Sequence, residues 1–439
     1  MHPREGWTAD GRPPPGLLRN ASDAGGRAQR AGLSRRAFLA RAAGAGLATA
    51  GLGGLAGGCG STQAVPQQRQ GPLARPDEPV RWPIFTTNEP INAGLRAERD
   101  ATLRIFTWVS YVSQECLAGF ARKYRCQVEV TTFSTMTQAL ARLASGQVRA
   151  DVFMGVTFDV LGRLVEGQYI QPLNHSYIPN IGHAWPGFTD PFYDLHWQYT
   201  VPYTVYTTGI AWRKDLVNEN PYLAANGWAF PWQAKYRGKV AILDDYRESI
   251  SLGLLTSGLT NLNTNDPAQI RTAQQALQDL AELTRVRIDN LDYSQIPSGQ
   301  TWIHHAWSGD MAAAASRLGD GSIAAEAIGY WFPPDGRGPV ANDMSTVLHG
   351  AQNPVLAHLF LNFMLDPANA LINIRHNGYT QPLNGVTPER LVYEGALPPN
   401  LISTAVLPTY FVHGLRELAL PLATDLLWQH AWQTVTALP

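Results

Sequence analysis

Val240-Ala241-Ile242-Leu243-Asp244-Asp245-Tyr246-Arg247-Glu248-Ser249 is an apolar run that breaks into three acids within five residues. The apolar part reads as a buried strand, and Ile250 to Leu255 beyond it as a helix. Carboxylates at the carboxyl end of a strand that feeds a helix stand where open α/β sheets place their ligands. Asp245 and Glu248 lie three apart and share one side of an incipient helical turn. One acid there can cap the helix or complement its dipole. Three exceed that need, and two convergent anions call for a cation.

Upstream of this stretch, strand and helix patterns alternate. Thr102 to Trp108, Gln127 to Phe133 and Asp151 to Met154 read as strands. Between and after them, Gln114 to Tyr124, a helix capped by Ser134 and running to Leu143, and Phe158 to Glu166 read as helices. This is an α/β pattern with a mainly parallel sheet. Val201 to Trp212 is strand-like from end to end and long enough to cross between two lobes. Downstream, Pro267 to Leu283 reads as a long helix, Ile303 to Trp307 as a strand and Ala312 to Leu318 as a helix. A helix pair follows, Val355 to Leu365 and Ala368 to Arg375, and the tail from Ala405 to Val435 reads as largely helical.

The 439 residues suffice for two full cores. Of 34 basic and 35 acidic side chains, residues 1–58 hold eight and three, so the remainder carries a net charge of −6. A mildly acidic body argues against nucleic acid and suits cationic ligands. With three cysteines no disulfide framework is implied. Cys116 and Cys126 are separated by about 12 Å or more along a helix at ~1.5 Å per residue, too far for a bridge, and read as ordinary buried thiols. His304 and His305 are adjacent in a strand and face opposite sides, so no metal is expected there.

The N-terminus reads as an address. Ser34-Arg35-Arg36-Ala37-Phe38-Leu39 is similar to the twin-arginine export signal, with a weakly apolar segment from Ala42 to Gly58 behind it. That segment ends at Leu55-Ala56-Gly57-Gly58-Cys59, which resembles a lipoprotein cleavage box and makes Cys59 the expected lipid attachment site. Residues 1–59 are thus expected to be the signal, and the Pro-, Gln- and Arg-rich stretch 60–99 a flexible tether.

With these pieces in place, residues 81–435 resemble the spermidine/putrescine-binding proteins of bacterial ABC importers. Leu103 to Tyr111 is similar to that family's first strand with its Trp-x-x-Tyr turn, and Val201-Pro202-Tyr203 with Thr207-Thr208-Gly209-Ile210 to its crossing strand. Leu243 to Glu248 is the most specific match, and Asn377-Gly378-Tyr379-Thr380-Gln381-Pro382 matches a late loop. The resemblance implies a two-lobed periplasmic-binding-protein fold with a hinge and an interlobe ligand cleft. Lobe 1 would be 100–206 and 340–388, and lobe 2 would be 207–339 and 389–439. Trp108, Tyr111, Phe158, Asp245, Glu248, Trp307, Asp343 and Tyr379 are the ligand-binding residues it implies. Val156 and Phe158 stand where the family often has Ser and Tyr, Ala341 replaces a cleft tryptophan, and Glu417 lies near the position of a glutamine.

These residue types suit a polyamine. Each methylene buried on a ring face is worth about 0.8 kcal/mol, and each charge-assisted hydrogen bond roughly 1.5–3 kcal/mol. A ring face presented to an ammonium adds about 0.5–2 kcal/mol. The resemblance therefore implies a non-catalytic, monomeric extracytoplasmic protein, which the N-terminal signal would anchor by a lipid. It would need no cofactor and would hand a putrescine- or spermidine-like ligand to an ABC permease. Two alternatives differ in kind: the same fold with another amine or an opine-like solute, and an enzyme using the cleft acids as general acid and base. Turnover would mark the enzyme; the sequence carries no Gly-x-Ser-x-Gly, zinc-ligand run or phosphate loop.

Overall fold

Strand β1 (Thr102–Trp108) turns Leu103 and Ile105 to one face of the sheet and Phe106 to the other, as its alternation dictates. The computed structural model describes residues 71–316 and 325–437; Arg35, Arg36 and Cys59 lie outside them. Helix α1 (Gln114–Tyr124) opens with Ser113 Oγ accepting from the Cys116 amide and closes on Arg125 at φ 53°. Strand β2 (Gln127–Phe133), helix α2 (Met136–Ala144), strand β3 (Val152–Thr157), helix α3 (Phe158–Glu166) and strand β4 (Ile170–Gln171) follow. Strand β5 (Val201–Arg213) is buried at all 13 positions. Next come β6 (Val240–Ile242), α4 (Tyr246–Thr256), α5 (Pro267–Thr284), β7 (Arg287–Ile288) and α6 (Asp292–Ser298). They lead into β8 (Ile303–Trp307), α7 (Ser308–Ser316), β9 (Ile328–Trp331) and β10 (Val340–Leu348). The chain ends through α8 (Pro354–Met364), α9 (Pro367–Asn377), α10 (Pro388–Tyr393), α11 (Tyr410–His413) and α12 (Leu422–Thr436).

The sheet order is β2-β1-β3-β10-β5-β8-β6-β7, with β4 beside β10 and β9 beside β5. The mainly parallel sheet expected from the sequence is mixed. β1 runs parallel to β2 and β3, whereas β10 is antiparallel to β3 and β5, and β5 to β8 and β9. Helices separate β1, β2 and β3, which allows parallel pairing, but β10 returns from far along the chain and enters reversed. β5 pairs with β10 from Val201 to Thr207 and with β8 from Thr208 to Trp212. One continuous strand therefore belongs to both halves of the sheet.

Residues 74–98, expected to be tether, are part of the fold. Trp82 is 3% exposed and donates through Nε1 to the Tyr193 carbonyl at 2.8 Å. Val80 N reaches Phe192 O at 2.8 Å, and Asn88 Nδ2 reaches Ile170 O at 2.8 Å. The Glu98 carboxylate accepts from the Val355 and Leu356 amides at the start of α8. Prolines deny this stretch a regular element without preventing its few apolar side chains from docking. Gly162 on α3 makes room for Trp82, since a Cβ there would meet the indole at 3.0 Å.

Three smaller readings are also corrected. The cap of α2 is Thr135, not Ser134: Thr135 Oγ1 accepts from Gln138 N at 3.1 Å, while Gln138 Oε1 accepts from Ser134 N. Cys116 is buried, but Cys126 is only half-buried. The tail is helical only in α11 and α12, because Pro408 and Pro421 interrupt it.

Candidate functional site

β1 ends at Trp108, whose Nε1 donates to the Gly155 carbonyl at 3.0 Å. Gly155 has φ +82°, and a Cβ there would lie 2.3 Å from the indole, so this close approach requires glycine. Tyr111 directly follows Ser110, a non-glycine residue at φ +58°. The Tyr111 hydroxyl donates to Asp343 Oδ2 at 2.5 Å and contacts Thr204 Oγ1 at 2.5 Å. Asp343 sits where the register of β10 slips against β5, a bulge that re-aims the side chain. Tyr379 packs edge-on against Tyr111 and Tyr206, with ring centroids 5.3 and 5.9 Å away. Asn377 holds the backbone on both sides, donating to Tyr111 O and accepting from Tyr379 N.

The β6–α4 junction supplies the opposing wall. Asp245 is the N-cap of α4, and its Oδ1 accepts from the Arg247 and Glu248 amides at 2.9 and 3.3 Å. Capping thus explains one acid of the three, and the side chain is half-buried. Glu248, 8% exposed, accepts through Oε1 from Trp307 Nε1 at 2.8 Å and Thr208 Oγ1 at 3.0 Å. Among the described residues, Glu248 Oε2 and Asp343 Oδ1 are buried without a hydrogen-bond partner. Asp244 is exposed, with its amide bound to Asn290 Oδ1.

All eight binding residues expected from the resemblance line a single cleft of about 930 Å³. Trp108, Tyr111, Phe158, Asp343 and Tyr379 meet Asp245, Glu248 and Trp307 across it. Phe158 stacks on Tyr193, 5.5 Å between centroids. Ala341 also lines the cleft, but Val156 is fully buried in the core and does not alter the pocket. The cleft holds acids that the strand-end argument did not single out. Asp159 opens α3 and Asp310 opens α7, each after a strand, as Asp245 does after β6. The same strand-to-helix junction was therefore a readable signal for both. Tyr206 gave none, being one of three aromatics in a strand buried at every position.

The electrostatics follow from burial among like charges. Burial, then the charges of Glu417 and Asp245, hold the Glu248 carboxyl well above the usual range despite its two donors. Burial pushes Asp343 to about 7 against the pull of the Tyr111 hydroxyl. His304 and His305 are both fully buried, and burial brings His305 down to about 3. Among the described residues no three His, Cys, Asp or Glu side chains group as metal ligands. What the cleft offers is buried carboxyl oxygen without a hydrogen-bond partner, set among aromatic rings.

Residues 116–392 match the family of bacterial extracellular solute-binding proteins, well over half of the chain. The chain belongs to that family. As an extracellular solute-binding protein it works outside the cytoplasm, and its known relatives bind and transport solutes. A putrescine/cadaverine-binding protein of Pseudomonas aeruginosa is 27% identical over 274 residues, 61% of this chain and 75% of that one. The spermidine/putrescine-binding periplasmic protein of Escherichia coli is 26% identical over 289 residues, 65% of this chain and 79% of that one. Among solved structures, the TpPotD lipoprotein of Treponema pallidum superposes with a TM-score of 0.64 at 20% identity, covering 76% of this chain and 99% of that one. The solute-binding protein therefore has the two-lobed periplasmic-binding-protein fold.

Proposed function

We propose that this solute-binding protein takes a polyamine of the putrescine or spermidine type into its cleft and delivers it, as a monomer, to an ABC permease. One observation carries the reading: Glu248 Oε2 and Asp343 Oδ1 are buried carboxylate oxygens without partners, on opposite walls of an aromatic cleft. A buried anion without a counter-charge is costly, and an ammonium hydrogen-bonded to it relieves that cost. Two such oxygens separated by rings suit two ammoniums joined by methylenes. Trp108, Tyr111, Phe158, Trp307 and Tyr379 would cover the methylenes, with Asp245 adding charge at the cleft wall. The two lobes would be 100–206 with 340–388 and 207–339 with 389–439, consistent with the change of β5's partners at Thr207 and Thr208. Export by the twin-arginine route through Arg35 and Arg36, and a lipid on Cys59, complete the reading.

Calorimetry of the purified protein with putrescine, cadaverine, spermidine and spermine tests the ligand. One site and no metal requirement are expected, and silence with all four amines would refute the proposal. The anchor has its own test: Cys59→Ala is expected to release the protein from membranes, and a variant that stays membrane-bound would exclude a lipid there.

A further inference from the structure

Glu248 lies in the first turn of α4, and Ser251 lies three residues on, on the same side of the helix. Ser251 Oγ donates to Glu417 Oε1 at 2.6 Å. The segment between α11 and α12 is thereby pinned with its carboxylate over the turn that carries Glu248. Both acids line the cleft. The cation on the same helix, Arg247, has partners of its own: its guanidinium donates to the Leu418 and Leu262 carbonyls and to Asn263 Oδ1, and lies 4.8 Å from the Trp428 ring centre.

We propose that Glu248 and Glu417 form a clamp for one ligand ammonium, and that the empty clamp retains one proton, which the ammonium expels to water. The proposal rests on the polyamine reading of the cleft. Charge balances: the clamp passes from one negative charge to two, the ammonium brings one positive charge, and one proton leaves. Two carboxylates brought together in a buried site do not both ionise freely. Burial and Glu417 raise Glu248, and burial raises Glu417 to about 7 against the pull of Arg247.

The groups around the clamp compensate it only in part, through Arg247. Asp245 and Arg247 come from the start of α4, Asp159 and Arg163 from α3, Tyr206 from β5 and Asp343 from β10. Asp425 of α12 binds the Tyr246 hydroxyl and lies 3.5 Å from Arg163, while Arg416 donates to the Phe411 carbonyl. Acids outnumber bases, and each of the bases has partners of its own.

Calorimetry of the purified full chain with putrescine, in two buffers of different ionisation enthalpy near neutral pH, counts the protons released. The parent is expected to release up to about one proton per ligand, with affinity rising by up to about tenfold per pH unit between roughly pH 6 and 8. Glu417→Gln is expected to reduce that release and make the rise shallower. Should that variant not fold, Ser251→Ala, which frees Glu417 from the helix, is expected to reduce both. Amine binding without proton release, release unchanged in Glu417→Gln, or release abolished by Asp343→Asn alone would overturn the clamp and leave the polyamine reading standing. Failure of every amine to bind would overturn both.

Discussion

Glu248 commits one carboxylate oxygen to Trp307 and Thr208 and leaves the other bare, whereas Asp245 commits its Oδ1 to two amides of α4. The two acids, equivalent in sequence spacing, should therefore respond differently to loss of charge. Removing one member of a buried charge pair costs about 2–5 kcal/mol. Glu248→Gln and Asp343→Asn are thus expected to weaken putrescine binding by at least about thirtyfold in calorimetry. Asp245→Asn keeps the cap, because Asn caps as well as Asp, and its half-buried position should limit the loss to less than about tenfold. Asp245→Ala should in addition cost about 1 kcal/mol of stability in denaturant unfolding. Equal losses for Asp245→Asn and Glu248→Gln would contradict this ranking. Gly155→Ala should be worse than its size suggests, since the position combines φ +82° with an indole 2.3 Å from any Cβ. A loss of about 1–3 kcal/mol is expected from the backbone alone.

Elements whose sequences repeat cleanly were legible to the residue. β1, α1, β2, α3 and β8 begin and end where alternation, caps and turns place them. The bulge at Asp343 was not legible, because a register slip depends on what β3 and β5 offer on either side. Nor was the docking of residues 74–98 legible, since composition reports prolines and charges but not which single tryptophan finds a slot. The acids implied by the resemblance line one cleft, yet the bare oxygens of Glu248 and Asp343 emerge only from partners supplied by β5, β8 and the turn after β1. The strap has a direct test. Trp82→Ala should destabilise the protein by about 3–5 kcal/mol, measured by urea unfolding. A loss below about 1 kcal/mol would mean that the segment only rests on the surface.

For the molecule as a whole, the cleft acids link stability to pH. Glu248, Asp343 and Glu417 are raised in the folded state above the value near 4 of an unfolded carboxyl. A raised carboxyl stabilises the fold fully at pH below its unfolded value and loses that contribution as pH climbs through its folded value. For Asp343 and Glu417 that window runs from about 4 to about 7. The ligand-free protein is expected to melt at a lower temperature near pH 8 than near pH 5, with saturating putrescine giving its larger stabilisation near pH 8. Melting scans at the two pH values check both expectations; a ligand-free protein more stable near pH 8 would contradict the first.

The place of β10 between β3 and β5 also fixes the sequence of events in time. Until residue 340 has left the ribosome, β3 and the first half of β5 each present an open edge whose only neighbour in the sheet on that side has not yet been made. The half that holds β1, β2 and β3 cannot close early, and the pairing of β3 with β10 spans nearly 200 residues, the kind of contact that makes folding slow. A nascent chain halted at Pro339 should therefore be found with chaperones or in aggregates, its first half unfinished. The first half is safe only once β10 has been made.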